Sequence, residues 1–227
     1  MILSLHVPKA AGNSLRELLQ IEYGERFLGD YGDWSGFDTP EANARRAVRT
    51  AAMRARAPEL EAKYDLIHGH FHADKYLGVF GSEQFVAFFR EPYQQAMAHY
   101  FFLLRNPQRD HPEERLFHEN RMTLLDYLSW DAFRNQQSQY LGSVPIEDFT
   151  MVGLSNQFSR GLRLFNAIFG RNLGPERFAN VNARRQNLDY EVEPQVRAAV
   201  EKYRAADIEL YRRAQELFER QARSAGV

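Results

Sequence analysis

The chain begins Met1-Ile2-Leu3-Ser4-Leu5-His6-Val7-Pro8-Lys9-Ala10-Ala11-Gly12-Asn13-Ser14-Leu15-Arg16-Glu17-Leu18-Leu19. Residues 1–7 hold neither glycine nor proline and are almost wholly apolar, the pattern of a strand buried on both faces of a parallel sheet. The run breaks at Pro8, and Leu15, Leu18 and Leu19 then recur at helical spacing in a segment that ends at Gly24. Strand, tight loop and helix make the first half of a βα unit. A loop of this kind points backbone N–H groups outward beside the positive end of the helix dipole, which suits an anion. Gly12 permits close approach of the backbone, Lys9 supplies a point charge, and Asn13 and Ser14 supply side-chain donors. The lysine precedes the glycine, so the ATP-binding pattern G-x-x-x-x-G-K-[ST] is absent. The plain alternative is a capped helix start with a surface lysine.

Outward from that stretch, residues 24–36 are rich in turn formers and read as irregular, while residues 39–56, rich in alanine and arginine, read as a helix. Strands are expected over 66–71, 85–89 and 149–154. Helices are expected over 92–104, 123–141 and 156–169, with two more filling 194–223. Residues 106–119 are polar and read as an excursion over the surface. Strands alternating with helices imply an α/β fold of three layers, a central mainly parallel sheet flanked by helices. No repeat or low-complexity linker divides the chain. The expected organisation is a single domain over 1–227, with a helical insertion at about 24–65 and a surface excursion at about 106–120.

The 227 residues are 44% hydrophobic and 26% charged, as in ordinary globular proteins that bury a real core. A formal net charge of −1 argues against nucleic-acid binding by bulk charge. The absence of cysteine excludes disulfides and thiolate chemistry and fits a reducing compartment. The opening apolar run has no basic leader and is too short for a signal or a membrane span. A cytoplasmic chain with no membrane span and no nucleic-acid partner is expected.

Asp65-Leu66-Ile67-His68-Gly69-His70-Phe71-His72 places three histidines at alternate positions near the end of an expected strand. Period-two spacing puts them on one face if the strand stays regular, and Gly69 marks a bend or a close backbone contact. Zinc would require a carboxylate or cysteine partner, for which Asp74 is nearest; one histidine acting as a general base fits the strand end better. Histidines satisfied by hydrogen bonds in a loop are the bland reading. Phe85-Val86-Ala87-Phe88-Phe89-Arg90-Glu91-Pro92-Tyr93 ends an apolar strand in an arginine, which either captures phosphate or pairs with a carboxylate. Asn180-Val181-Asn182-Ala183-Arg184-Arg185 is a polar loop with paired cations. Trp34, Tyr31 and Phe37, with the arginine-rich helix near 42–56, form a sugar platform or anion-lined cleft on one reading, and packing with a solvated face on the other.

In this order the motifs resemble the carbohydrate-type sulfotransferase family, in particular the group of heparan and chondroitin 2-O-sulfotransferases and small bacterial members. His6-Val7-Pro8-Lys9-Ala10-Ala11-Gly12-Asn13-Ser14-Leu15 is similar to that family's loop for the 5′-phosphosulfate of PAPS (3′-phosphoadenosine 5′-phosphosulfate). His68-Gly69-His70 is similar to its H-G-H, whose second histidine is the catalytic base. Phe89-Arg90-Glu91-Pro92-Tyr93, with Tyr100 downstream, is similar to the segment that holds the 3′-phosphate. Weaker likenesses lie at Asn135-Gln136-Gln137-Ser138-Gln139-Tyr140-Leu141, Val152-Gly153-Leu154 and Asp207-Ile208-Glu209-Leu210-Tyr211.

The resemblance implies transfer of a sulfuryl group from PAPS to a hydroxyl of a carbohydrate or glycoconjugate, releasing PAP (3′-phosphoadenosine 5′-phosphate), without a metal. It implies His70 as base, His68 orienting it or binding the acceptor, and Lys9 stabilising the leaving phosphate. Donor contacts fall on Lys9, Ala11, Gly12, Asn13, Ser14 and Arg90. Three positions depart from the pattern: Ala98 where the family has serine, Gln95 where arginine is common, and Asn13 where threonine is usual. One lost neutral donor costs about 0.5–1.5 kcal/mol, and Arg184 or Arg185 would be its replacements. Two other readings remain, a non-catalytic nucleotide-binding relative and a P-loop kinase. The kinase needs a lysine after the glycine.

Overall fold

A computed structural model describes residues 1–33, 39–106, 112–174 and 189–227. Its centre is five parallel strands: β1 (Ile2–Leu5), β2 (Phe27–Asp30), β3 (Leu66–Gly69), β4 (Gln84–Phe89) and β5 (Met151–Leu154), in the order β2-β3-β1-β4-β5. The helices between and after them are α1 (Gly12–Tyr23), α2 (Pro40–Ala55), α3 (Ala57–Lys63), α4 (Pro92–Arg105), α5 (Pro112–Glu119), α6 (Leu124–Ser129), α7 (Phe158–Phe169), α8 (Pro194–Tyr203) and α9 (Ala205–Ser224). This is the expected α/β fold. No helix among the described residues is long and apolar enough to cross a membrane.

β1, β3 and β5 are buried at every position, which is why they read as continuous apolar runs. The chain lays β1 down first, then adds β2 and β3 on one side and β4 and β5 on the other. The sheet's direction of winding therefore reverses at β1, and the crevice beyond the carboxyl ends of β1, β3 and β4 is where such sheets bind ligands. Register aligns Leu5 with Gly69 and with Ala87, so β4 runs two residues past its neighbour. Gly69 is the close backbone contact: a Cβ there would lie 1.7 Å from the carbonyl oxygen of Asp30.

Three readings change. Residues 24–36, read as irregular, contain edge strand β2. The excursion after Asn106 contains α5, anchored by buried Phe117. Residues 123–141 are not one helix; α6 ends at Ser129 and turns of three and four residues follow, with Asn135 at φ 45° between them. A left-handed residue cannot continue an α-helix.

Three helix starts are capped by side chains. Thr39 Oγ1 accepts from the Ala42 N–H (3.2 Å), the Glu91 carboxylate accepts from the Gln94 N–H (2.8 Å), and Thr123 with Asp126 forms a capping box. α1 differs. Its cap position is Ala11, and no side chain bonds its first turn.

Candidate active site

Four chain segments meet at the carboxyl edge of the sheet. In spatial order they carry Tyr31 after β2, His70 after β3, His6 and the 7–14 loop after β1, and Arg90 after β4. The first helical hydrogen bond of α1 runs from the Leu15 N–H to the Ala11 carbonyl (3.1 Å). The N–H groups of Gly12, Asn13 and Ser14 precede it, and an α-helix offers these no internal partner. Lys9 (φ 62°) and Ala11 (φ 70°) are left-handed without being glycine. Each such residue costs about 1 kcal/mol or more, and alternating conformations of this kind turn successive N–H groups toward a common centre. A helix start with that backbone suits an anion.

Gly12 has a use the sequence did not disclose. It is buried, and a Cβ on it would sit 1.9 Å from Cδ2 of His6. It therefore makes room for an imidazole, not only for a ligand. Ser14 is half-buried and Asn13 exposed. The Lys9 ammonium lies 4.3 Å from the centre of the Phe102 ring, and its carbonyl accepts from Arg90 Nη1 (3.4 Å). Arg90 thus reaches the loop of residues 7–14. Its own backbone is clamped at both ends: its N–H donates to Gln137 Oε1 (2.9 Å), and Gln137 Nε2 donates to its carbonyl (2.8 Å). Tyr100, the downstream landmark, donates to the Met122 carbonyl (3.3 Å). Arg184 and Arg185 lie outside the described residues, as do Trp34, Phe37 and the 180–182 loop.

The histidine cluster is not the one the alternation suggested. β3 ends at Gly69, and the third ring packed beside His68 and His70 belongs to His6 from the first strand's end. Ring centres of His6 and His70 are 4.2 Å apart, and those of His6 and His68 5.2 Å. His72 turns toward Tyr140 at 5.7 Å. No metal-binding group of three ligands occurs among the described residues.

The carbonyl of His6 lies 2.6 Å from His70 Nδ1. A carbonyl only accepts, so Nδ1 carries a proton, and in the neutral ring the lone pair is then on Nε2. That is the tautomer a general base needs. Tyr140, wholly buried, sets its hydroxyl 3.3 Å from the same Nδ1; burial pushes its pKa far up and keeps it neutral. Tyr31 bonds His6 Nδ1 (3.1 Å) and lies edge-on to His70 at 5.2 Å. Burial pushes the Tyr31 phenol to about 12, against the opposing pull of Arg16, whose guanidinium is 5.7 Å from its ring.

A buried ion cluster fixes Tyr31 where it is. Lys75 Nζ bonds Asp30 (2.5 Å) and Asp33 (2.7 Å), and Arg49 bonds the other oxygens of both (2.9 and 2.5 Å). Tyr76 adds a hydroxyl to Asp30 (2.9 Å). Two cations and two anions balance, and they hold the segment from Asp30 to Asp33 between α2 and the turn after β3. Arg45 donates to the Gly32 carbonyl (2.6 Å) and Arg54 to that of Asp74 (2.7 Å). These arginines of α2 tie the chain together while Arg45 and Arg54 remain exposed.

Burial lowers the pKa of both remaining histidines, His68 to about 3 and His6 further, with the neighbouring histidines as lesser causes. Both rings are neutral when folded. Unfolded, each takes a proton below about pH 6.5, so folding loses stability as pH falls through that value, by about 1.4 kcal/mol per unit for each ring. His68→Asn removes one titrating ring while keeping a polar atom near Ser4 Oγ, which lies 2.9 Å from Nδ1. Between pH 7.5 and 5 the wild type should lose about 2 kcal/mol more stability than this variant, read from urea midpoints. Equal losses would mean His68 is protonated in the fold.

No family model matches the chain, and no curated protein matches it. Among solved structures the chain is similar to a sulfotransferase from Alicyclobacillus acidocaldarius, with a TM-score of 0.46 and 16% identity over 96% of this chain and 95% of that one. It is also similar to mouse sulfotransferase SULT7A1 complexed with PAP, with a TM-score of 0.49 and 11% identity over 95% of this chain and 88% of that one.

Proposed function

We propose that the chain transfers a sulfuryl group from PAPS to a hydroxyl of a carbohydrate or glycoconjugate acceptor. The observation that carries this reading is the pairing of a left-handed loop before an uncapped helix start with a histidine whose Nδ1 faces the His6 carbonyl, at adjacent strand ends. The phosphosulfate would lie on the N–H groups of Gly12, Asn13 and Ser14, with Lys9 beside the bridging oxygen. Arg90, from the next strand end, contributes charge at the same edge. Ala11 shapes the loop by its backbone.

The acceptor hydroxyl gives its proton to His70 Nε2 as its oxygen attacks sulfur. The bond from sulfur to the bridging oxygen breaks in line, and PAP leaves with the electron pair. The loop N–H groups and Lys9 neutralise the charge that grows on that oxygen, so the step runs without a metal. His68 packs behind His6 and orients the cluster from its buried position.

The departures at positions 95 and 98 do not favour a non-catalytic relative. Both side chains are buried in α4, and Gln95 donates to the Pro8 carbonyl (3.2 Å), bracing the loop. A thermal-shift titration tests the reading: PAP without Mg²⁺ should raise the melting temperature, by about 2.7 kcal/mol of added stability at a hundred times Kd. Stabilisation by Mg-ATP alone would replace it with the kinase reading, and no shift with either would leave a fold without the donor site.

A further inference from the structure

The left-handed backbone at Lys9 and Ala11 persists only if its surroundings over-determine it. Three residues of α4 at one helical face supply part of that constraint: Gln95 bonds the Pro8 carbonyl, Phe102 receives the Lys9 ammonium, and His99 lies between them with its ring stacked on Phe102 at 6.4 Å. A glutamine amide has two ends and turns either way round. Here its direction is set from behind. Arg204 Nη1 donates to Gln95 Oε1 (2.9 Å), and a guanidinium only donates, so Oε1 must face Arg204 and Nε2 must face Pro8.

Arg204 is itself immobilised. It is fully buried at the junction of α8 and α9, its Nη2 donates to the Tyr127 hydroxyl (2.9 Å), and its guanidinium packs 5.2 Å from the Tyr127 ring. The same junction reaches the second anion-facing element. Asp207 accepts from the N–H groups of Gln137 (3.2 Å) and Ser138 (2.8 Å), and Gln137 is the side chain that clamps Arg90 at both ends. The guanidinium donates to neutral oxygens, with the buried Asp207 carboxyl as its electrostatic partner, and it gives its acceptors a fixed direction.

We propose that Arg204, acting through Gln95, is the positioning residue that holds the loop of residues 8–14 in its anion-binding shape. Its effect on the donor rests on the sulfuryl-transfer reading; its effect on the loop does not. Two variants separate the roles. Arg204→Met removes the donor to Gln95. Gln95→Glu keeps a partner for Arg204, and strengthens it, while turning a carboxylate oxygen toward the Pro8 carbonyl.

Hydrogen–deuterium exchange of the ligand-free protein reads the loop directly. Amides of residues 9–14 should exchange about tenfold faster in both variants, with β1, β3 and β4 unchanged and Arg204→Lys in between. In turnover, both variants should raise the KM for PAPS about tenfold and leave the acceptor KM unmoved. Unchanged loop exchange overturns the inference, and if Arg204→Met fails to fold, Gln95→Glu decides it alone. Faster loop exchange in a protein that does not bind PAP supports the loop brace and overturns the donor reading.

Discussion

Replacing His70 by asparagine should reduce turnover by about 10²–10⁴-fold while leaving PAP affinity within about twofold of wild type. The choice of asparagine follows from geometry. Its Nδ2 occupies the place of the imidazole Nδ1, so it still donates to the His6 carbonyl now 2.6 Å away. What it lacks is anything at the position of Nε2, the only nitrogen left to take a proton. Alanine removes both functions, and the loss of one anchoring bond costs about 0.5–1.5 kcal/mol of stability. If Nε2 is the base, asparagine and alanine variants are equally slow and differ only in stability. If turnover survives in the asparagine variant, the work of His70 is done by Nδ1, and it is a structural residue. Loss of PAP binding in both would place it in the donor site instead.

The elements that decide this fold were legible because they are simple. β1 and β4 are central strands with both faces covered, so their residues are apolar without alternation, and the loop and helix after β1 carry their own stop and start signals. β2 hid for the opposite reason. It is an edge strand, only partly buried, with Gly24 and Gly32 nearby, and its place beside β3 comes from the Gly69–Asp30 approach and the Lys75 ion cluster, which are contacts across 39 to 45 residues. The 123–141 stretch misled because Tyr127, Leu128, Phe133 and Tyr140 fall near helical spacing, yet only the first two are on a helix and Phe133 and Tyr140 are buried by turns.

The candidate site divides in the same way. Lys9, Gly12, His70 and Arg90 stand at strand ends beside glycine or proline, where a sequence shows chemistry. His6 was visible only as a letter in a motif; its ring and carbonyl matter because β1 and β3 are neighbours. Tyr31 was visible only as part of an aromatic platform and Tyr140 only within a weak likeness, and Arg204 carries no local signal. Each reaches the site from a distant segment, and a lone buried arginine looks in sequence like any surface cation.

Replacing Lys9 by glycine should lower kcat by about 10²–10³-fold and weaken PAP binding by about tenfold, without unfolding the loop. Alanine would confuse two effects. At φ 62° any residue with a Cβ is strained, whereas glycine adopts that conformation freely. The glycine variant thus relieves about 1 kcal/mol of strain while deleting the ammonium, and the gain is offset by its freer unfolded chain. Thermal stability should stay within about 1 kcal/mol of wild type, so a slow enzyme reports the missing charge and not a collapsed loop. Phe102→Leu is the complementary change: it keeps the ammonium and removes the ring 4.3 Å beneath it. If the ring only steadies the lysine, this variant loses far less rate than the glycine variant. Near-normal kcat for Lys9→Gly would remove the ammonium from the transfer step and leave the N–H groups of the α1 start as the whole of its charge stabilisation.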